Sequence, residues 1–300
     1  MKIDYGVQIE PQFGYTYEHI KEAALAAEKH GFESLWTSDH FLIRPEAVDV
    51  NCLECWTTLS ALATETKTLK LGNMVASQSY RNPALHANIA ASLDHISGGR
   101  VYFGIGAGWK EVEYNAYDIP FPKPMTRINQ MEDAIEIAKR MWSEPVANYE
   151  GKHYRVNTVS MPKPVKKHIP ILIGGMGSQL LKVTAKHADV SNFAWNTPVD
   201  TYQKRLKVLK KHCKRFGRDY DDIRKSAGLH LALEGAEATE QAPYEKYSGP
   251  RTWNYNTPEE AAEFIKGYVD LGVDHFVIVF PYGKESESIK ILMDEVAPLV

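Results

Sequence analysis

The chain has 300 residues, 44% of them apolar and 24% charged, with a formal net charge of −3 at pH 7. This balance is ordinary for a globular protein and argues against a general nucleic-acid binder, which would carry a strongly basic surface. The sequence has no run of about 18 apolar residues, so we expect no membrane span. Three cysteines do not make a disulfide scaffold, and the first residues lack the apolar core of a signal peptide. We therefore expect a cytoplasmic protein.

Short apolar strands alternate with amphipathic helical segments along the chain. The predicted strands are Ile3–Ile9, Ser34–Thr37, Leu69–Ala76, Val101–Ile105, Ile171–Gly174, Asp189–Phe193, Ser226–Glu234 and His275–Phe280. The predicted helices are Tyr17–His30, Glu54–Thr66, Pro83–Ile96, Arg127–Trp142, Ser178–His187, Val199–Phe216, Pro258–Leu271 and Glu285–Val296. Short buried strands that alternate with helices form parallel sheets. Eight such pairs predict an α/β fold, a (β/α)8 TIM barrel, as one domain over residues 1–300.

Three segments interrupt this alternation. Residues 110–125 read as a loop rich in aromatic residues and prolines, and residues 148–167 as a hairpin that turns at Glu150–Lys152. Residues 235–257 form a long polar segment with four aromatic residues. Long loops in compact domains are usually functional or disordered. The first and third segments follow barrel strands, so we expect insertion loops over the C-terminal mouth. The third is interpreted as a mobile lid, and a disordered surface insertion is the alternative.

Residues 69–109 contain a strand, a helix and a second strand that ends in a glycine loop. The helix is predicted to begin at Asn82-Pro83, because asparagine caps a helix and proline suits its first turn, and to end before Gly98. The second strand continues into Gly106, Ala107 and Gly108. Barrel enzymes bind ligands at such strand ends. These small residues leave room for a flat ring, with Trp109 as a pocket wall.

A second glycine segment follows the fifth predicted strand. Gly174, Gly175, Met176 and Gly177 lead into a helix that is expected to begin at Ser178. Glycines allow close backbone approach, and the free amides of a helix N-terminus favour a phosphate. The pattern is neither a P-loop nor a full dinucleotide-binding fingerprint. It predicts a phosphate site, and a plain strand–helix turn is the alternative.

Asp39 and His40 follow the second predicted strand, at the same end of the barrel. Histidine donates or accepts a proton near neutral pH, and Asp39 is a candidate to orient it. A structural pair at the barrel rim is the alternative. Cys52 and Cys55 lie at the start of a predicted helix; packing is favoured over a redox or metal role, since no second ligand pair is present. The histidines show no metalloprotease spacing, so no metal site is predicted.

The chain resembles the luciferase-like monooxygenase superfamily, whose members are flavin- or deazaflavin-dependent (β/α)8 barrels. The resemblance is carried by the order and spacing of Asn82-Pro83-Ala84, Asp94, Ser97–Arg100 and Gly104–Trp109, and it extends from Tyr5–Gln8 to the last strand. It is greatest to the branch that uses coenzyme F420. The resemblance implies an oxidoreductase that transfers hydride between F420 and a small organic substrate. We also expect a homodimer.

The resemblance also implies roles for individual residues. It places the catalytic pair His40 and Asp39 beside the deazaflavin. The residues implied to bind the cofactor are Gln8, Met74, Val75, Gly106, Ala107, Gly108, Gly174, Gly175, Met176, Gly177 and Ser178. Relatives often have a bulge with a non-proline cis peptide at the position of Met74-Val75, and an ordinary core strand is the alternative.

Trp109 and Glu113 are assigned to the substrate pocket. Some relatives that oxidise sugar phosphates carry a catalytic glutamate near the position of Trp109, whereas the nearest carboxylates here are Glu111 and Glu113. That departure weakens any claim to the same substrate, and the sequence does not identify one. An FMN-dependent monooxygenase and a non-catalytic flavin binder remain open alternatives.

Overall fold

The computed structural model describes residues 2–300. Its strands are β1 (Asp4–Ile9), β2 (Ser34–Thr37), β3 (Lys70–Asn73), β4 (Ala76–Ser77), β5 (Val101–Gly106), β6 (Val146–Glu150), β7 (Arg155–Val159), β8 (Ile171–Gly174), β9 (Val190–Phe193), β10 (Arg224–His230), β11 (Ala232–Leu233), β12 (Tyr255–Asn256) and β13 (His275–Val279). Its helices are α1 (Tyr17–Lys29), α2 (Cys55–Glu65), α3 (Pro83–Ser97), α4 (Glu111–Ala116), α5 (Pro124–Ser143), α6 (Ser178–His187), α7 (Val199–Phe216), α8 (Glu245–Ser248), α9 (Pro258–Val269) and α10 (Glu285–Ile291).

Eight parallel strands close into a barrel. Their order is β3-β2-β1-β13-β10-β9-β8-β5, and the barrel closes where Leu71 of β3 pairs with Val101 of β5. The short strand β4 continues the path of β3 and pairs with the end of β5, with Ala76 opposite Ile105. This topology confirms the predicted (β/α)8 TIM barrel.

Local signals explain where the helices begin and end. The Asn82 side chain accepts a hydrogen bond of 2.9 Å from the Ala84 amide, and Pro83 occupies the first turn of α3. Gly98 ends this helix with a positive φ of 70°, which glycine adopts without steric cost. Thr257 and Glu260 form a capping box at the start of α9.

The interior of the barrel is packed at one end and open at the other. Trp36, Tyr102, Leu172 and Val277 form a buried layer inside the strands. Below them, at the amino ends of the strands, Glu33 accepts hydrogen bonds from Lys70 (2.6 Å) and Tyr102 (2.8 Å). Burial opposes the ionised form of Glu33, but the neighbouring cations outweigh it and lower its pKa to about 2. Only the carboxyl ends of the strands remain for a ligand.

Two predicted strands are interrupted in the structure. The predicted strand Leu69–Ala76 breaks between β3 and β4, at a cis peptide between Met74 and Val75. The predicted strand Ser226–Glu234 divides into β10 and β11, because β11 leaves the barrel and pairs with β12. Continuous apolar character therefore overestimated the length of both strands.

The helix predictions were wrong at two places. The segment 110–125 is not a plain loop, because it contains the short helix α4, whose Tyr114 is buried. Helix α5 begins at Pro124 rather than at the predicted Arg127. Proline suits the first turn of a helix, which explains the earlier start. The last predicted helix, Glu285–Val296, changes into a π-helical turn from Leu292.

The other two irregular segments have defined contacts. Strands β6 and β7 pair antiparallel from Val146↔Val159 to Glu150↔Arg155, which confirms a hairpin in that region. The predicted lid, residues 235–257, contains α8 and β12 and is held at several points. The buried Tyr244 stacks on Phe13 with 4.2 Å between the ring centroids. The Tyr247 hydroxyl donates a hydrogen bond of 2.6 Å to Asp49 Oδ1. The mobility of this segment stays a prediction.

No helix in the described part of the chain is both long enough and apolar enough to cross a membrane.

Candidate functional site

A cavity of about 320 Å³ opens at the carboxyl ends of the barrel strands. Residues from seven strand ends or the loops that follow them line it. They are Glu10, Ser38, Asp39, His40, Met74, Val75, Ala76, Ser77, Tyr80, Gly106, Gly108, Trp109, Lys110, Gly174, Gly175, Asn192, Ala194 and Trp195. Convergent polar groups beside apolar walls at the mouth of a TIM barrel are typical of an active site.

The floor of the cavity is formed by Val75 and by glycines from two neighbouring strands. Of the two alternatives for Met74-Val75, the structure has the cis peptide. A Cβ atom on Gly106 would lie 2.8 Å from Val75 Cγ2, and one on Gly174 would lie 3.0 Å from Val75 Cγ1. These two positions therefore exclude larger side chains while the bulge is in place. The result is a shallow surface made of backbone and one valine.

The second glycine segment leads from this floor to a helix N-terminus. Gly174 and Gly175 line the cavity, and Gly175 has a φ of 116°. Helix α6 begins at Ser178, as predicted, and no side chain caps its first amides. Open amides and the positive end of the helix dipole favour an anion. Met176, Gly177 and Ser178 lie just beyond the cavity lining.

His40 is held by a buried carboxylate. Its Nδ1 lies 2.8 Å from Glu113 Oε2, and the Tyr80 hydroxyl donates to the same oxygen at 2.7 Å. The other oxygen, Glu113 Oε1, accepts from the Phe41 and Leu42 amides at 2.9 and 3.2 Å. Burial opposes ionisation of Glu113, but hydrogen bonds from His40 and Tyr80 and the nearby Lys110 lower its pKa to about 2. Glu113 is therefore an ionised group behind His40.

The predicted role of Asp39 is corrected by its contacts. Arg81 Nη1 and Nη2 donate to the two Asp39 oxygens at 2.6 and 2.9 Å. Burial raises the pKa of Asp39 to about 6, and the Arg81 guanidinium opposes that rise. Asp39 lines the cavity but does not bond to His40, so the orienting carboxylate is Glu113. The structure does not place Glu113 in the cavity lining to which the sequence assigned it.

The remaining predicted site residues differ in how deeply they lie relative to the cavity. Gln8 is buried and donates to Glu10 at 2.9 Å, and neither Gln8 nor Ala107 lines the cavity. Trp109 is 73% exposed, at the rim, with its ring edge-on to His40 at 5.7 Å. It is therefore placed as a wall at the cavity entrance.

Glu10, Asn192 and Trp195 also line the cavity, although the sequence did not lead us to predict them. Trp195 stacks on His230 with 4.9 Å between ring centroids. Each of the three lies at the carboxyl end of a barrel strand or directly after it. That position was available from the predicted strands and would have identified them as cavity residues.

The cysteine pair has a packing role. Cys52 donates to the His40 carbonyl at 3.1 Å, and Cys55 Sγ lies 3.1 Å from Thr37 Oγ1. Burial raises the pKa of Cys52 to about 12, so its thiolate form is disfavoured.

Known proteins with the same fold and similar sequence have been identified. An F420-dependent glucose-6-phosphate dehydrogenase of Kineococcus radiotolerans is 24% identical over 94% of this chain and 92% of its own length. A 5,10-methylenetetrahydromethanopterin reductase of Archaeoglobus fulgidus is 32% identical over 62% of this chain and 51% of its own length. The solved structure of an F420-dependent secondary alcohol dehydrogenase with an F420-acetone adduct superposes with a TM-score of 0.85 at 18% identity, covering 100% of both chains.

The profile of the family described as luciferase-like monooxygenase matches residues 3–268. The chain therefore belongs to the luciferase-like monooxygenase family.

Proposed function

We propose that this protein is an F420-dependent oxidoreductase that transfers hydride between the deazaflavin and a small organic substrate. The observation that carries the proposal is the cavity at the barrel mouth, where a glycine floor, an uncapped helix N-terminus and the His40–Glu113 pair meet. The relatives named for F420-dependent reactions support the same cofactor.

The residues present fit a planar ring that carries a phosphate arm. Gly106 and Gly174 leave the surface beside Val75 free, and a Cβ on either would press against that valine. The first-turn amides of α6 lie at the end of the glycine segment, where a phosphate would be bound. We assign the ring to the Val75–Gly106 surface and the phosphate to Gly174–Ser178.

Coenzyme F420, when bound, supplies a carbon centre (C5) that gives or accepts hydride. The protein supplies orientation and proton management. Because Glu113 is ionised, it holds the proton on His40 Nδ1 and leaves Nε2 to accept or donate a proton toward the cavity. Exchange of a proton with the substrate beside the ring is the role that we assign to His40 Nε2.

The substrate space is enclosed by Tyr80, Trp109 and Trp195, with Glu10 as a carboxylate that lines the cavity. A tryptophan occupies the position near which some sugar-phosphate-oxidising relatives have their glutamate. Glu113 cannot take over that role, since its two oxygens are bonded to His40, Tyr80 and backbone amides. These features favour a substrate whose conversion does not require a glutamate as a general acid at this site.

The test combines cofactor binding with turnover. Purified protein is titrated with F420 and with FMN, and each complex is mixed with a panel of alcohols, aldehydes, sugar phosphates and pterins while the cofactor spectrum is followed. We expect tight binding of F420 alone, and hydride exchange with at least one substrate. Tight FMN binding with oxygen consumption would instead identify a flavin monooxygenase. F420 binding without exchange across the whole panel would identify a non-catalytic binder.

We also propose that residues 1–300 act as one domain and that the protein is a cytoplasmic homodimer. The dimer is supported by exposed apolar side chains on neighbouring surfaces, Leu85 on α3 and Met161 after β7, which are 55% and 64% exposed. Asn88 of α3 donates to the Met161 carbonyl at 2.9 Å, so the two surfaces adjoin. Light scattering measures the mass in solution, and cell fractionation tests the location.

A further inference from the structure

The lining of the cavity contains one carboxylate that has no cation beside it in the described part of the chain. Asp39 also lines the cavity, but Arg81 neutralises it through two hydrogen bonds. The charge of Lys110 is shared with Glu113, whose Oε1 lies 3.4 Å from Lys110 Nζ. Glu10, directly after β1, forms no ion pair with any residue that the structure describes. The cavity therefore presents an uncompensated negative charge at this wall.

Two buried glutamines hold this carboxylate in place. Gln8 Nε2 donates a hydrogen bond of 2.9 Å to Glu10 Oε1, and Gln12 Nε2 donates to Glu10 Oε2. The buried Ser38 hydroxyl donates to Gln12 Oε1 at 2.6 Å, which fixes the orientation of the Gln12 amide. Amide donors orient a carboxylate but carry no net charge. Glu10 is thus a rigid group that keeps its full charge toward the cavity.

The surroundings of Glu10 offer more hydrogen-bond acceptors than donors. An ionised carboxylate accepts about four hydrogen bonds, and each oxygen of Glu10 receives one from a glutamine side chain. Gln8 Oε1, on the amide that bonds to Glu10, is buried without a hydrogen-bond partner among residues 2–300. This second acceptor adds partial negative charge beside the carboxylate. A ligand group that fits here brings both hydrogen-bond donors and positive charge.

The opposite walls of the cavity are aromatic. Tyr80, Trp109 and Trp195 line the same space as Glu10. The face of an aromatic ring attracts a cation within about 6 Å, and tryptophan does so most strongly. Aromatic rings together with a carboxylate form a site suited to an ammonium group, whereas an anion would be repelled by Glu10.

We propose that Glu10 determines substrate specificity by binding a protonated nitrogen, so that the substrate is a small organic amine. This inference rests on the proposed function and deepens it, because it names the class of substrate. The ammonium group donates hydrogen bonds to the free acceptor positions of Glu10 and keeps its protons throughout. It anchors the molecule, and the carbon that exchanges hydride is a different atom of the substrate.

The test compares three probes that share one ring and differ in charge: benzylamine, which is a cation at pH 7, benzyl alcohol and benzoate. Isothermal titration calorimetry measures the dissociation constant of each probe, with the protein free and saturated with F420. Titrations at ~20 mM and ~200 mM NaCl measure the contribution of charge, because salt screens exposed charges.

The variants are Glu10→Gln, which removes the charge with little change of shape, and the matched control Glu111→Gln. Glu111 is exposed on α4 near the cavity mouth, but it does not line the cavity. The two variants therefore make the same change of net charge inside and outside the cavity. Their melting temperatures establish that both are folded.

We expect the F420-saturated wild type to bind benzylamine at least about tenfold more tightly than benzyl alcohol, a difference of about 1.4 kcal/mol, and benzoate most weakly. Glu10→Gln should abolish this preference and leave the dissociation constant of F420 within about twofold of the wild-type value, about 0.4 kcal/mol. Glu111→Gln should retain the preference.

Equal affinities of the wild type for benzylamine and benzyl alcohol would overturn the proposal. Equal losses in Glu10→Gln and Glu111→Gln would also overturn it, because they would indicate the diffuse field of an acidic protein. A preference that disappears when F420 is bound would place the ammonium group in the cofactor space rather than in the substrate space. Failure of F420 to bind would contradict the proposed function alone, and the titrations of the free protein would still decide the role of Glu10.

Discussion

At the scale of single residues, the proposed chemistry depends on His40 and the carboxylate that holds it. The Nδ1–Glu113 hydrogen bond of 2.8 Å fixes the orientation of the imidazole ring, and Trp109 covers its edge. This hydrogen bond connects the loop after β2 with α4, two segments that are 73 residues apart in the sequence. A histidine placed in this way is arranged for proton transfer at one defined nitrogen.

Replacement of His40 by alanine should slow turnover without loss of the fold. General acid–base catalysis typically accelerates a reaction by a factor of about 10²–10⁴. We therefore expect kcat to fall by a factor in that range, while the Kd for F420 and the melting temperature change little. Stopped-flow measurement of hydride exchange with the substrate found in the panel provides the rate. Near wild-type turnover in His40→Ala would mean that the histidine is only a rim residue.

Glu113→Gln should weaken both catalysis and stability at neutral pH. The folded-state pKa of about 2 lies below the ordinary value of 4.5, so the carboxylate stabilises the fold above pH 4.5 by at most about 3 kcal/mol. That contribution is lost as the pH falls from 4.5 to 2. Urea unfolding of Glu113→Gln and the wild type should therefore differ at pH 7 and converge toward pH 3. A difference that is independent of pH would show that ionisation of Glu113 contributes nothing.

The sequence predicted His40 correctly as a cavity residue but could not identify its partner. Glu113 lies 73 positions away, and only the tertiary position of α4 brings the two together. Asp39, the nearest carboxylate in sequence, instead pairs with Arg81. Adjacency in the sequence is a poor guide here, because consecutive residues at the end of a strand point in different directions.

At the scale of elements, the proposed phosphate site depends on the N-terminus of α6. Gly175 is unsuited to a mutational test, because its φ is 116° and an added Cβ would lie 2.6 Å from Leu180. Gly177 has an ordinary φ of −64° and nothing within 4 Å of an added Cβ. A side chain at position 177 therefore changes the charge at the site without straining the backbone.

Gly177→Asp should weaken F420 binding by at least about tenfold, or about 1.4 kcal/mol, because a carboxylate would repel the phosphate. The neutral isostere Gly177→Asn is the matched control and should retain most of the affinity. Fluorescence titration of both variants measures the two constants. Equal dissociation constants for the Asp and Asn variants would show that the phosphate does not bind at this helix N-terminus.

The segment 235–257 should be protected from proteolysis by ligand. Its exposed stretches, around Thr239 and around Ser248–Gly249, lie on either side of the buried Tyr244 anchor. Opening of the segment breaks few apolar contacts, so the free protein should be cut in these stretches, and cofactor with substrate should slow cleavage. Limited proteolysis followed by mass spectrometry locates the cuts. Identical cleavage rates with and without ligand would identify a static surface insertion.

Periodicity predicted most elements of this barrel within a few residues, and the bounds of β2, β8, α6 and α7 agree with the structure. It failed in two places. After Leu231 the apolar run leaves the barrel sheet, and β11 pairs with β12. Residues 111–116 form the short helix α4, which contains the buried Tyr114. Hydrophobic pattern reports burial, and the choice of pairing partner depends on the whole barrel.

At the scale of the whole molecule, acid should destabilise the fold steeply. Glu28, Glu33 and Glu113 have pKa values of about 2, because hydrogen bonds or nearby cations outweigh the effect of burial. Burial first, and then nearby arginines, lower the pKa values of His86 and His230 to about 3. Burial raises the pKa values of Asp39 and Glu285 to about 6 and about 7, which acts in the opposite direction, but these two carboxyls are outnumbered. Between pH 4.5 and 3 the unfolded chain therefore binds more protons than the folded one, and stability falls as the pH falls. Urea unfolding across pH 7 to 3 measures the change, and a constant free energy of unfolding from pH 4.5 to 3 would contradict these assignments.

We propose that the barrel mouth binds F420 and that hydride is exchanged there. The most direct measurement is a titration of the purified protein with F420 and FMN in parallel, followed by addition of the substrate panel to the tighter complex. We predict saturable binding of F420, at least about tenfold tighter than that of FMN, which is a difference of about 1.4 kcal/mol, and a substrate-dependent change of the deazaflavin spectrum. Preferential binding of FMN, or binding of neither cofactor, would contradict it.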